Sequence, residues 1–218
     1  MTERTVTIGA GPKRVLQLLK QIGPSSADSL ADQLTVSATA IRQHLYVLNK
    51  KGLAVSKGQL RPMGRPVKIW ELTEEATAHF PQVGSQMVES LLRSTQEVLG
   101  SEGMKTAMCG CVDEQVTRYS KEIQGGETLF ERLKALVAVR DADGYFAQLE
   151  CQEDETFIIY ENHCPISGAV ASCPDLCNAE LIIFQNLFKD EAVVKRLEHM
   201  KKGDRRCSYH IKKKYKQP

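Results

Sequence analysis

The sequence predicts an α+β chain in two parts: short helices and a hairpin first, then further helices followed by a small antiparallel sheet. Three observations carry this reading. Apolar residues recur at helical spacing through residues 12–52 and again through 86–137, then alternate at the two-residue period of strands after 147. Charge divides in the same place: residues 1–80 hold 11 Lys and Arg against 6 Asp and Glu, while the remainder holds 18 against 21. All seven cysteines lie in the second part. The expected domains are therefore 1–80 and 81–218. With 218 residues and 42% hydrophobic content the chain can fill two small cores, and 6% aromatic residues suits small helical units.

The first helix is expected from Pro12 to Ile22, with Val15, Leu18, Leu19 and Ile22 on one stripe and Gly23-Pro24 as its stop. A second short helix begins after Ser25 or Ser26 and buries Leu30, Ala31 and Leu34. Thr35-Val36 makes a tight turn, and Ser37 caps a third helix, SATAIRQHLYVLNKKG, with Ile41, Leu45 and Leu48 inward and Gly52 ending it. Two helices joined by so short a turn form a helix-turn-helix, whose second member enters the major groove of DNA.

The outward face of that third helix offers Ser37, Thr39, Arg42, Gln43 and Tyr46. Arg pairs bidentately with guanine, Gln with adenine, and Ser or Thr reaches phosphates or bases. A polar helix face by itself is more often plain solvated surface. The next segment changes that reading. Leu53–Ser56 and Val67–Leu72 read as two strands around KGQLRPMGRP, a loop that brings Arg61 and Arg65 to its tip. A basic hairpin beside a recognition helix is a wing, suited to phosphate or minor-groove contact, and completes a winged helix-turn-helix.

Glu74–His79 forms a short closing helix, and Phe80-Pro81 marks the boundary. Linker helices follow: Gln86–Leu99, whose wide apolar stripe fits either a dimerisation face or ordinary core, and Met104–Ile123. Leu129, Leu133, Leu136 and Val137 mark another helix, ended near Asp143-Gly144. Strands are expected around Ala147–Cys151 and Ile158–Tyr160, a helix over Asp175–Phe188, and a hairpin from Ala192–Met200 and Arg206–Ile211 across Lys202-Gly203-Asp204. The KKKYK tail reads as frayed and solvated.

Cys109 and Cys111, two apart on a helix, point about 200° from each other and are expected as buried small hydrophobes, like Cys151 on its strand. Cys164, Cys173, Cys177 and Cys207 differ. The first lies in an irregular stretch, NHCPISGAVASCPDLC; the next two sit at the mouth of a helix, where amide dipoles favour thiolates; the last is on a strand. Loop, helix start and strand can converge, and four thiolates suit tetrahedral zinc or a [4Fe–4S] cluster. The spacing, with 8, 3 and 29 residues between them, is unlike a paired zinc knuckle. Inert buried cysteines are the plain alternative, and Glu180 and His199 are possible substitute ligands.

At this point a family resemblance enters. MGRPVKIWELTEEATAHFP resembles the wing of the SufR-type regulators of iron–sulfur cluster assembly operons. The segments NHCPISGAVASCPDLCNAELIIF and VKRLEHMKKGDRRCSYHI are similar to their cysteine-bearing region. The resemblance covers most of the chain. It implies a homodimeric repressor that binds operator DNA while a [4Fe–4S] cluster is intact, with Cys164, Cys177 and Cys207 as ligands. The family pattern has a further cysteine between the last two, where this chain reads LFKDEAVVKRL. Cys173 is then the remaining thiol for the fourth place. The departure leaves nitric oxide or general redox state open as the signal.

Two other functions compete: a winged-helix regulator with structural zinc or a bare thiol switch, and an enzyme using Cys164 as nucleophile. Catalysis is the weaker reading, because His163 is adjacent in sequence, a poor geometry for a Cys–His pair. No apolar run approaches the ~20 residues of a membrane span. MTERTVTIGAGPKR carries no signal-peptide core, so a cytoplasmic protein without membrane partners is expected.

Overall fold

A computed structural model describes residues 8–59, 67–80, 86–153 and 155–214. The chain divides into two compact units, Met1–Pro81 and Gln82–Pro218, considered in turn.

The first unit is a winged helix-turn-helix. Its helices are α1 (Ala10–Ile22), α2 (Ala27–Leu34) and α3 (Ala38–Lys50), followed by strands β2 (Ala54–Gln59) and β3 (Val67–Leu72) and a 3₁₀ turn, Glu74–His79. Side-chain caps start two of the helices: Ser26 Oγ accepts from Ser29 N at 3.1 Å and Ser37 Oγ from Ala40 N at 3.2 Å. Between α2 and α3, Thr35 adopts the left-handed conformation (φ 56°) that turns the chain. The end of α3 is a Schellman motif. Gly52 takes φ 74° and donates to Asn49 O, while Leu53 N donates to Leu48 O. Val15, Leu16, Leu30, Ile41, Leu45 and Leu48 are fully buried, so the apolar stripes of three short helices meet in one core.

Two features of this unit depart from expectation. Ser25–Ser26 is a strand, β1, pairing antiparallel with β3 to give a sheet ordered β1-β3-β2. Two residues of extended backbone before a helix carry no periodicity, so pattern alone could not separate them from a loop. β2 also extends to Gln59 rather than ending at Ser56, because its register partners on β3 continue to Val67.

The second unit begins with α4 (Gln86–Ile123), then α5 (Leu129–Arg140), a π-type turn over Asp141–Tyr145, and strands β4 (Ala147–Cys151) and β5 (Thr156–Glu161). Helices α6 (Ser167–Ser172) and α7 (Leu176–Leu187), strand β6 (Ala192–Glu198), a short 3₁₀ turn and strand β7 (Cys207–Lys213) complete it. The sheet is antiparallel throughout, ordered β4-β5-β7-β6. Helices α4, α5 and α7 pack together, and residues from one sheet face (Phe157, Ile159, Val194, Tyr209, Ile211) join Leu133, Leu136, Ile183, Phe184 and Phe188 in a single core.

The two linker helices are present as expected, meeting within α4 at a kink where Gly100 takes the non-helical φ of 64° and ψ of −171°. Several local expectations are corrected here. The stretch after Cys164 contains α6 and is not irregular throughout. Cys109, Cys111 and Cys151 are exposed, not buried: small polarisable residues carry too weak a periodic signal to reveal their side. The first three residues of the KKKYK tail are not frayed: Lys212 and Lys213 belong to β7, and Lys214 N donates to Glu191 O. No helix among the described residues is long and apolar enough to cross a membrane.

Candidate functional site

The first candidate surface is built on α3. With Ile41, Leu45 and Leu48 at 0% exposure on its inner stripe, Thr39, Arg42, Gln43 and Tyr46 fall together on the solvent side. Ser37 stands at the head of this face, its oxygen committed to the cap and its hydroxyl proton left for an outside acceptor. Arg42 Nη2 donates to Asp28 Oδ1 at 2.7 Å, a bridge from α3 to α2. Both side chains are exposed, so the pair is worth under about 1 kcal/mol and leaves other guanidinium donors unused. Tyr46 meets Trp70 edge-on at 5.8 Å, and Lys68 Nζ lies 5.8 Å from the Tyr46 ring. Tyr46 thus ties α3 to β3, and Lys68, which the sequence reading passed over, adds a cation at the junction. Arg61 and Arg65 lie outside the described residues.

The second candidate site is at one end of the four-stranded sheet. Cys164 follows β5 in the loop before α6, Cys177 is the second residue of α7, and Cys207 opens β7 opposite Glu161. These three thiols share an electrostatic neighbourhood. Cys207 acts on Cys164, Cys177 acts on Cys207, and Arg196 on β6 acts on Cys177 and Cys207. Arg196 Nη2 also donates to the carbonyl of Cys177. Cys173, at the end of α6, is buried.

Burial raises the Cys164 thiol to about 12 and the Cys207 thiol to about 11, even though backbone amides of Ile166 and Met200 hydrogen-bond to them. Cys177 is pushed up as well, burial outweighing Arg196 and Lys201. The expected thiolate stabilisation at a helix start therefore loses to desolvation. These are protonated thiols at neutral pH, poor nucleophiles that become anions only if a cation compensates them.

Soft sulfur donors beside a guanidinium suit a metal centre chemically. Among the described residues, however, no three His, Cys, Asp or Glu side chains are placed to hold a single metal ion. Mononuclear zinc needs every sulfur about 2.3 Å from one point, whereas a cluster of four irons offers separate corners to separate ligands.

Behind the thiols lies a network that the sequence reading missed. Arg140, 1% exposed, donates from Nε to Glu161 at 2.7 Å and from Nη1 to Tyr119 at 2.9 Å, and pairs with Glu180 through Nη2. The Tyr145 ring stacks 3.4 Å beneath its guanidinium, and Tyr145 also donates to Glu180. Burial pushes the Glu161 carboxyl up against the pull of Arg140, with Glu180 reinforcing the rise. Glu180 is thus paired with Arg140 and Tyr145, and its charge also acts on Cys164 and Cys177. One signal was available: Arg140 continues the Leu129, Leu133, Leu136 stripe, so a charge stood on a buried helix face.

No protein-family model matches this chain, and no curated protein matches it. Among solved structures it is similar to the Zα domain of PKZ from Carassius auratus, described in complex with Z-DNA (21% identity over 29% of this chain and 92% of that one, TM-score 0.24). It is also similar to ZitR, a zinc-responsive MarR family member from Lactococcus lactis (17% identity, 66% and 81% coverage, TM-score 0.31). A third similar structure is PadR from Bacillus subtilis in complex with operator DNA (13% identity, 64% and 97% coverage, TM-score 0.32).

Proposed function

We propose that this chain is a DNA-binding transcriptional regulator, a repressor, governed by a [4Fe–4S] cluster held in its second unit. The observation that carries the DNA-binding part is the exposed Thr39, Arg42, Gln43 and Tyr46 face, capped at Ser37 and braced against β3. Base edges are read by such side chains, and the wing cations Arg61, Arg65 and Lys68 supply phosphate contacts.

Cys164, Cys177 and Cys207 would hold the cluster. When bound, it supplies a redox- and oxygen-sensitive centre whose positive irons keep the thiols deprotonated. The protein's share is structural. Ligation ties the loop after β5, the first turn of α7 and the start of β7 to one another. Arg196 compensates the charge of the Cys177 and Cys207 sulfurs. Loss of the tie shifts the population between states of different DNA affinity. The raised thiols favour this role over nucleophilic catalysis by Cys164, and His163 is buried against Phe146, with ring centroids 5.5 Å apart.

A homodimer follows from the same reading. The first part of α4 leaves Met87, Leu91 and Val98 at 80%, 65% and 80% exposure, an apolar stripe that a second copy would cover. Two recognition helices would then address successive major grooves, about 34 Å apart. The test is anaerobic purification with iron, sulfide and zinc analysis, followed by selection of bound sequences from a random duplex library. Iron with sulfide and a recovered palindrome are expected. Zinc alone would move the reading to a structural zinc regulator, and no selected sequence would remove the DNA-binding role.

A further inference from the structure

A cavity of about 300 Å³ opens in the second unit between α4, α7 and the turn over Asp141–Tyr145, and none of Cys164, Cys177 and Cys207 lines it. Its walls are mixed. Met108, Val112, Leu176 and Ile183 supply apolar surface, while Arg118, Asp143 and Glu180 reach it beside the rings of Tyr119 and Tyr145. An apolar wall with a few convergent polar groups is the make-up of a small-molecule pocket.

The charges on that wall do not balance. Asp143 pairs with Arg118 and accepts from Tyr119 at 3.0 Å. Both bonds fall on Oδ2, and Oδ1 has no hydrogen-bond partner among the described residues. Glu180 accepts from Tyr145 at 3.3 Å but shares its cation, Arg140, with Glu161. Two carboxylates therefore line the cavity against one guanidinium, and the cation behind them is divided between two acids. Exposure separates the groups further. The Arg118 side chain is 42% exposed and screened by water, whereas Glu180 is 16% exposed and its charge acts at greater strength. Burial holds the Tyr119 and Tyr145 phenols above their ordinary range, so neither adds a compensating or opposing charge. An anion entering here gains Arg118 and meets both carboxylates; a cation gains the carboxylates and meets a guanidinium already paired.

We propose that this cavity binds a small organic cation, an ammonium or amidinium group on an apolar body. Glu180 and Asp143 take the charge, and Met108, Val112, Leu176 and Ile183 take the body. Pro165 and Ile166 directly follow Cys164, Leu176 directly precedes Cys177, and all three line the cavity. A bound cation thus touches the segments that hold the proposed cluster and gives the second unit an input besides it. Binding itself needs no cluster.

The full-length protein is titrated calorimetrically with 1-naphthylmethylamine, a cation at neutral pH, and with 1-naphthylacetate, an anion on the same apolar body. The cation should bind at least about tenfold tighter. Gln115 lines the cavity and makes one 3.4 Å contact with Arg118, so a charge placed there alters the site without entering the core. Gln115→Lys should weaken the cation about threefold and Gln115→Glu should tighten it by a similar factor, both with unchanged melting temperature. Glu180→Gln should abolish the preference for the cation. In methyl-labelled protein the cation should shift Ile166 and Ile183 and leave Ile41 of the first unit in place. Equal affinity for the two molecules, or tighter binding of the anion, would overturn the proposal. So would no binding of the amine at millimolar concentration, or binding that leaves Ile166 and Ile183 unmoved. Iron plays no part in these readouts: protein that binds the cation but takes up no iron refutes the cluster reading and leaves this one standing.

Discussion

Glu161 on β5 stands directly opposite Cys207 on β7, so the carboxylate that anchors buried Arg140 and a thiol of the proposed centre are neighbours on one sheet face. The charge network and the thiol cluster are thus two sides of one structural element.

Arg140→Met should destabilise the second unit by roughly 3–5 kcal/mol, because it leaves buried Glu161 and partly buried Glu180 without their cation. Urea unfolding followed by circular dichroism measures this. Trp70 is the single tryptophan and belongs to the first unit, so its fluorescence transition should stay in place. A shift of the tryptophan transition as large as that of the circular dichroism would show that the network supports more than its own unit.

The capping box at the start of α5 gives a pH dependence of known sign. Backbone amides of Thr128 and Glu127 hold the Glu131 carboxyl below its ordinary 4.5. A carboxyl depressed in the folded state stabilises above its unfolded value, and the contribution is lost as pH falls through the folded one. Glu131→Gln should therefore lower the melting temperature at neutral pH, with the gap from wild type narrowing as pH drops below 4.5. A gap constant across the acid range would remove the ionised cap as its cause.

On DNA, Arg42→Ala and Gln43→Ala should each weaken binding to a selected operator by about 1–3 kcal/mol, with folding and iron content unchanged. Asp28→Asn releases Arg42 from its exposed pair and removes a charge that repels phosphate. It should tighten binding to random duplex by less than about 1 kcal/mol. Fluorescence anisotropy reads both, and unchanged affinity in both alanine variants would discard α3 as the reader.

Arg61→Ala and Arg65→Ala in the wing should weaken operator and random DNA alike, each lowering the salt dependence of log affinity by about 0.9. A loss confined to one operator would mean that the wing reads sequence.

Replacing Cys164, Cys177 or Cys207 singly by Ser should abolish iron incorporation, because a neutral hydroxyl is a poor iron ligand beside a thiolate. Cys109→Ser and Cys111→Ser should retain it, since both are exposed on α4. Iron retained in the triple Cys164/Cys177/Cys207 variant would end the cluster proposal.

Much of the first unit was legible because its determinants are local. Ile41, Leu45 and Leu48 declare an inner stripe, Ser37 and Gly52 mark its ends, and the polar face of α3 follows by subtraction. Each of these signals acts within one or two helical turns, so it survives in a linear reading. The strand Ser25–Ser26 did not, because its only cause is the distant edge of β3.

In the second unit the sequence by itself marked the helices other than α6 and the closing hairpin, and it set Cys164, Cys173, Cys177 and Cys207 apart from the other three cysteines by their local setting. Only the tertiary structure decided which thiols are exposed, that desolvation overrides the helix dipole at Cys177, and that Arg140 draws Glu161 and Glu180 inward. Desolvation and charge pairing depend on atoms brought together from residues far apart in the chain.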